Sequence, residues 1–189
     1  KIYYNLAWCE LKLKRYSNAL KYVKIAYYFE NRKGYFKVGD QLVDAILLFH
    51  AVSKQTSAGL NYLSSEKLDT FDNLIKYLHY VFENGNRADI PIVISKLDKV
   101  KKKDEDHLKL LEKKIVVYRP LKQFTLIQKE FSLFKQRMKS IKLSSVSRET
   151  RSELKNAIVS YTGYLQELVK SKRLISSKQK AKYVVFVAG

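Results

Sequence analysis

The spacing of apolar residues predicts helices along most of the chain. The first stretch, 2–14, has apolar residues at intervals of four, three and four, which places Ile2, Leu6, Cys9 and Leu13 on one helix face. We expect that face to be buried. The same periodicity predicts further helices over 17–30, 38–54, 66–83, 90–102 and from 104 to Pro120, with a weaker one over 56–63.

Short connections and capping residues predict how the first two helices are arranged. Ser17 is a candidate N-cap, because its hydroxyl can accept from a free amide of the first helical turn. Gly34 can take the left-handed conformation that ends a helix. Since very few residues separate the two predicted helices, they must pack as an antiparallel pair. Ser64 or Ser65 is expected to cap the helix predicted over 66–83.

The chain after Pro120 carries two matched apolar seams. Proline ends the preceding helix because it lacks an amide and clashes with the turn before it. Alternating intervals of four and three predict an antiparallel, coiled-coil-like hairpin, with Ser147 as the N-cap of its second helix. Two core helices of a bundle would give the same pattern, so both readings stay open. The seams are Ile127, Phe131, Phe134, Met138 and Ile141, then Leu154, Ile158, Tyr161, Leu165 and Leu168.

The stretch YYNLAWCELKLKRYSNALKYVKIA resembles a tetratricopeptide repeat over residues 3–30. Glu10 stands where an aromatic residue is usual, and no proline closes the repeat near Arg32. One repeat cannot bury its own apolar face, so the following helices or a longer parent chain would supply its neighbours. The family's large, small and aromatic positions are matched by Tyr3, Leu6, Ala7, Tyr16, Ala19 and Ala26.

This resemblance implies a non-catalytic scaffold or adaptor domain of a larger protein. Members of the family bind a peptide or a partner helix on a concave surface formed by the first helix of each pair. The matching contact residues here would be Asn5, Trp8, Lys12 and Arg15.

The net charge of +19 is concentrated in the second half of the chain. Residues 1–98 carry a net +4, whereas residues 99–189 carry +15. A basic region favours nucleic acid, a membrane surface or an acidic protein as partner, and a solvated helical face would give the same composition. A nucleic-acid-associated regulatory protein is therefore an alternative to the scaffold. The basic patch near the hairpin tip is Lys135, Lys139, Lys142, Arg148 and Arg151.

The residues that carry enzyme chemistry are sparse. His50, His79 and His107 lack the spacing of a metal-binding motif, and no glycine-rich phosphate loop occurs. Cys9 excludes an internal disulfide because it is the single cysteine, and we expect it to be a buried apolar residue. Asp104 and its acidic neighbours are expected to stabilise a helix start. We therefore expect no enzyme activity, no cofactor and no metal site.

These patterns together predict an all-α protein with three regions. They are a tetratricopeptide-like region over 1–103, a basic helical hairpin over 104–174 and a basic and apolar tail over 175–189. The tail fits an added strand, a docked helix end or a disordered segment equally well. Its apolar run is shorter than the roughly 18 residues of a membrane-spanning helix. We expect an intracellular, cytoplasmic protein whose oligomeric state the sequence leaves open.

Overall fold

A computed structural model describes residues 1–33, 39–100, 102–138 and 146–170. Every regular element in these ranges is helical, so the predicted all-α class is confirmed. The chain divides into two compact units, Lys1–Lys101 and Lys102–Gly189. The described helices are α1 Ile2–Lys12, α2 Tyr16–Lys33, α3 Gly39–Val52, α4 Thr56–Ser65, α5 Phe71–Asn84, α6 Ile90–Lys99, α7 Asp104–Tyr118, α8 Phe124–Met138 and α9 Arg148–Lys170. The 175–189 tail lies outside the described residues.

The first unit is a row of helix pairs. Helices α1 and α2, α3 and α4, and α5 and α6 pack against each other in turn. The connections within the pairs are short, which forces neighbouring helices to run antiparallel. Helix α2 also packs on α3, and α3 packs on α5, so consecutive pairs stand side by side.

Small residues allow the closest approaches in the first unit. Ala7 of α1 and Ala19 of α2 are fully buried where these two helices pack. Gly59 of α4 lies beneath the phenol of Tyr77, and a Cβ added there would clash with the Tyr77 hydroxyl oxygen. That hydroxyl donates to the Thr56 carbonyl at 3.0 Å. Gly59 therefore provides the space in which the α5 phenol reaches the start of α4.

The helix predicted over 66–83 begins later than the sequence suggested. Helix α4 continues through Ser65, so Ser64 and Ser65 form its last turn rather than the cap of α5. The N-cap of α5 is Thr70, whose side chain accepts from the Asn73 amide at 3.3 Å. The helix predicted over 90–102 begins at Ile90, with Asp89 at the N-cap position, although without a side-chain cap hydrogen bond, and Pro91 in the first turn of α6.

The second unit is organised around α7, which packs against both α8 and α9. Helix α7 ends at Tyr118, two residues before Pro120, as predicted. Ser147 caps α9 as predicted, since its side chain accepts from the Thr150 amide at 3.2 Å. Helices α8 and α9 meet where the Phe131 and Tyr161 rings stack with centroids 3.8 Å apart. Ile158, placed on the seam by its spacing, is 39% exposed.

Candidate functional site

The four residues expected to contact a partner on α1 and its turn have different environments. Asn5, Lys12 and Arg15 are exposed, and Arg15 lies 3.8 Å from a Glu10 carboxylate oxygen. Trp8 is half-buried, because its ring packs edge-on against Phe49 of α3 at a centroid distance of 5.0 Å. The spacing of three and four from Asn5 through Trp8 to Lys12 places these three residues on one face of α1. That face carries a fixed aromatic ring between two exposed polar side chains.

The first helices of the next two pairs also carry polar and aromatic side chains at their surface. Lys76 of α5 donates to Asp44 of α3 at 2.9 Å, which ties these two helices together. The hydrogen bond from Lys76 to Asp44 raises the lysine's pKa. Tyr80 is half-buried, and its burial raises the pKa of its phenol. We refer to the side chains of Asn5, Trp8, Lys12, Asp44, Lys76 and Tyr80 as the first-helix surface.

A buried polar cluster lies around His50 of α3. His50 is 1% exposed, and neither ring nitrogen has a hydrogen-bond partner among the described residues. Its ring lies 6.2 Å from the ring of Tyr62, over which the Lys24 ammonium sits at 4.5 Å from the centroid. Burial, aided by the charge of Lys24, lowers the pKa of His50 to about 4. Burial also lowers the pKa of Lys24, an effect that Glu66 opposes.

This cluster is ill suited to acid–base catalysis. Because the pKa of His50 is about 4, its ring is neutral at physiological pH. A catalytic imidazole is normally reached by solvent or substrate and oriented by a hydrogen bond at its second nitrogen, whereas this one is enclosed. Sequence reasoning did not single out this site, because no motif or spacing distinguishes His50 from the apolar residues around it in α3.

The apolar face predicted for α1 is present but is exposed rather than buried. The exposed fractions are 76% for Ile2, 40% for Leu6 and 60% for Leu13, and Cys9 is exposed between them. The expectation that Cys9 is a buried apolar residue is therefore wrong. The buried side of α1 is centred on Ala7, which faces α2. We call Ile2, Leu6, Cys9 and Leu13 the α1 apolar face.

Aromatic rings extend this face onto α2. Tyr3 stacks on Tyr22 with centroids 6.1 Å apart and on Phe29 with centroids 6.0 Å apart. Phe29 is 42% exposed. Apolar and aromatic surface of this extent on one side of a helix pair is typical of an interaction site.

The structure places part of the predicted basic patch. Arg148 and Arg151 are exposed and lie three residues apart in the first turn of α9. Lys135 belongs to α8, but its side chain is outside the described part, as are Lys139 and Lys142 altogether.

Carboxylates also lie at the start of α9. The Glu105 carboxylate accepts from the Ser147 hydroxyl at 2.6 Å and from the Thr150 hydroxyl. These two hydrogen bonds lower the pKa of Glu105. Glu149 adds a second carboxylate in the first turn of α9. The start of α9 is therefore of mixed charge rather than uniformly basic.

Two further kinds of site were sought in the part of the chain that the structure describes. It contains no group of three His, Cys, Asp or Glu side chains that could hold a metal ion. None of its helices is both long enough and apolar enough to cross a bilayer.

No family model, no curated protein and no solved structure matches this chain. The resemblance to a tetratricopeptide repeat therefore depends on the sequence of residues 3–30 and remains a prediction. Ala7 and Ala19, two of the small positions in that resemblance, are fully buried between α1 and α2.

Proposed function

We propose that this chain is a non-catalytic protein-interaction domain that binds a peptide or a partner helix along the first-helix surface. The observation that carries the proposal is the position of Trp8. Its ring is held edge-on by Phe49 while its side chain stays half-exposed between Asn5 and Lys12. A rigid aromatic residue surrounded by polar side chains is the composition found at the energetic centre of protein interfaces.

Charge at the α1 end favours an acidic partner segment. Lys12 is exposed, and the side chain of Arg15 is 63% exposed despite its ion pair with Glu10. Exposed ion pairs of this kind contribute little to stability, so Arg15 can exchange Glu10 for a carboxylate of the partner at small cost. Cations at the rim of an interface mainly set partner choice and association rate. We therefore expect acidic residues in the segment that lies beside Trp8.

The proposal can be tested by selecting peptides from a displayed library on the purified chain. Binding constants of the selected peptides are then measured for the unmodified chain and for Lys12→Glu. We expect acidic sequences to be selected, and Lys12→Glu to weaken their binding about fivefold, which corresponds to about 1 kcal/mol of a rim charge contact.

Lys21→Glu is the matched control, since Lys21 is an exposed lysine of the same helix pair but belongs to α2. It makes the same change in net charge without altering α1. If both variants weaken binding equally, the effect is one of overall charge and the proposed surface is wrong. Selected peptides that bind the Lys12→Glu chain undiminished would also contradict it.

A second candidate function is nucleic-acid binding by the basic second half. It is supported by the net +15 of residues 99–189 and by the exposed Arg148 and Arg151. Lysines and arginines that neutralise phosphates release counterions, so such binding must weaken steeply with salt. The buried, stacked rings of Phe131 and Tyr161 are not available for base stacking, so backbone contacts would have to supply the affinity.

Titration with duplex and single-stranded nucleic acid at two salt concentrations tests this second function. We expect salt-dependent binding that Arg148→Glu together with Arg151→Glu weakens. Absence of binding at low salt would refute it. If the chain co-sediments with anionic vesicles but does not bind nucleic acid, the partner of the basic second half is a membrane surface instead.

A further inference from the structure

The first two helix pairs are related by a shift of 40 residues. Lys14 lies two residues after the end of α1 and Lys54 two residues after the end of α3, and these two residues have positive φ angles of 59° and 57°. Each donates its amide to the carbonyl three residues earlier, at 2.9 Å in both turns. The next amides, of Arg15 and Gln55, both bond to the carbonyl five residues earlier at 2.9 Å. The two turns therefore have the same hydrogen-bond pattern at positions 40 residues apart, a pattern that the turns at Lys67 and Lys122 also show.

The same shift relates the second helices of the two pairs. Apart from Thr56, the buried positions of α4 are those obtained by adding 40 to the buried positions Ala19, Leu20 and Val23 of α2. Those are Gly59, Leu60 and Leu63. Tyr22 likewise corresponds to Tyr62. The second pair thus repeats the turn and most of the buried positions of the first, although α4 is shorter than α2, and corresponding positions can be compared.

The comparison shows that the residues of α3 that correspond to the α1 apolar face are buried. Ile2, Leu6 and Cys9 correspond to Leu42, Ile46 and Phe49, which are 3%, 1% and 0% exposed. Phe49 is contacted by Trp8, which belongs to the preceding pair. Helix α2 of that preceding pair packs against α3.

Tyr62 of α4 shows which contacts the preceding pair makes with the second pair. Its ring is contacted by Lys24 at 4.5 Å and by Tyr27 at a centroid distance of 6.5 Å, and both come from α2 of the preceding pair. Tyr22 is the corresponding residue of the first pair, and in the described structure it stacks only on Tyr3 of its own pair. Within the described part of the chain, the position that α2 occupies on the second pair is therefore open on the first pair.

We propose that the α1 apolar face, together with Tyr22, is the docking site of another helix pair of the same kind. The second helix of this partner would pack on α1 as α2 packs on α3. It would present a lysine and, three residues later, a tyrosine to the Tyr22 ring, as Lys24 and Tyr27 do for Tyr62. This site extends an interface that the first unit already contains, and it is separate from the first-helix surface.

The opposite end of the row is a poor match for this face, which argues against a second copy stacked head to tail. The exposed residues of α6 include Ser95, Asp98 and Lys99, with Ile92 as an apolar residue 46% exposed. Such a polar face cannot supply the apolar cover that Leu6 and its neighbours need.

The proposal is tested by placing a copy of residues 1–40 directly before Lys1, which keeps the 40-residue register. The added copy carries Cys9→Ser, so that the original Cys9 is the only thiol. We expect its reaction with a thiol reagent to slow by at least about tenfold, because a covered thiol reacts only after local opening. We also expect the urea midpoint of the first unit, followed by Trp8 fluorescence with Trp8→Phe in the added copy, to rise.

Two controls separate docking from other effects. Leu6→Asp in the original chain alone should leave its urea midpoint nearly unchanged, because Leu6 is already 40% exposed. In the extended chain the same substitution should abolish the gain in midpoint and restore fast labelling. An added copy carrying Lys24→Glu and Tyr27→Ser should protect Cys9 less than the unmodified copy.

The proposal is overturned if the original Cys9 reacts equally fast with and without the added pair. It is also overturned if the original chain forms dimers in sedimentation experiments in which Cys9 becomes protected, because the occupant would then be a second copy. If Leu6→Asp unfolds the original chain, the face is part of the core and the inference fails.

Discussion

Acidification from pH 7 to pH 5 should destabilise the first unit through His50. The unfolded chain takes up a proton on this imidazole as the pH falls through its ordinary pKa of 6.5, whereas in the folded chain the pKa is about 4. Folding therefore favours the neutral ring. Its full contribution to the free energy of unfolding is present above pH 6.5. Stability must fall between pH 6.5 and 4, because the unfolded state binds more protons there.

The size of the effect follows from the lowered pKa. A difference between an ordinary pKa of 6.5 and one of about 4 corresponds to about 3 kcal/mol when the pH is below both values. At pH 5 about 2 kcal/mol of this is already lost, since the unfolded imidazole is almost fully protonated and the folded one is not. This is a large fraction of the 5–15 kcal/mol by which folded proteins of this size are commonly stable.

The groups that face His50 support this direction. Lys24 from α2 disfavours a second positive charge, while Tyr62 of α4 carries no charge near neutral pH because burial raises the pKa of its phenol. The carboxyl of Asp69 titrates at lower pH than usual, because its hydrogen bond with Lys96 lowers its pKa. Between pH 6.5 and 5, the change in the free energy of unfolding is therefore due mainly to histidine.

Urea unfolding followed by Trp8 fluorescence measures the effect directly. Trp8 is the single tryptophan, and it packs on Phe49, the residue next to His50. The free energy of unfolding is determined from full urea curves at pH 7.0, 6.0, 5.5 and 5.0. Fitting the midpoint and slope, rather than the intensity, separates unfolding from any quenching by a protonated imidazole.

His50→Leu is the decisive variant, because leucine fills the site without a group that titrates. Its free energy of unfolding should change little between pH 7 and 5, whereas His79→Leu, at an exposed histidine, should keep the slope of the unmodified chain. An equally steep loss in the His50→Leu chain would refute the assignment. So would an unmodified chain whose stability is constant from pH 7 to 5.

Further predictions concern packing and ion pairing. Gly59→Ala should lower the free energy of unfolding by about 1–3 kcal/mol, because the added carbon overpacks the site. Gly163→Ala should raise the free energy of unfolding by about 0.5–1 kcal/mol, because nothing lies within 4 Å of the added carbon and alanine favours a helix. Urea curves measure both changes. Ser147→Ala should lower the free energy of unfolding of the second unit by about 1 kcal/mol, because α9 loses its cap. The change is measured from urea curves of the helical circular dichroism signal. Lys114→Met should destabilise the second unit, since it removes a 3.0 Å contact with Glu130, and adding Glu130→Leu should recover most of the loss in circular dichroism melts.

The sequence predicted the helices better than it predicted their environments. Pro120 and Ser147 act where they were expected to, because the missing proline amide and the serine cap are local effects that need no tertiary contact. Ser64 and Ser65 were assigned to the wrong helix end, because serine is tolerated in a last helical turn and Thr70 offers an equally good cap. Local chemistry thus defines a set of candidate boundaries, and packing selects among them.

Burial of α1 could not be read from its pattern. Periodicity shows that Leu6 and Leu13 share a face, but not whether another element covers that face. Phe49 and Cys9 occupy corresponding positions, yet one is fully buried and the other is exposed, because among the described residues a neighbouring pair covers that side of the second pair and not of the first. The relation that explains this is the 40-residue shift, which is seen when the buried positions of α2 and α4 are compared.

The same shift accounts for the unpaired histidine. His50 corresponds to Glu10, whose carboxylate accepts from Asn18 at 3.2 Å and lies 3.8 Å from Arg15. At the positions equivalent to those two partners the second pair has Ala58 and the uncharged Gln55. The second pair therefore has a polar residue at this position without the ion pair and the side-chain donor that Glu10 has in the first pair. With α5 packed on α3, the ring is enclosed as well as unpaired. Supplying an acceptor should reverse the acid sensitivity in part, so Ala58→Asp is expected to flatten the pH dependence of stability if its carboxylate reaches the imidazole as Asn18 reaches Glu10.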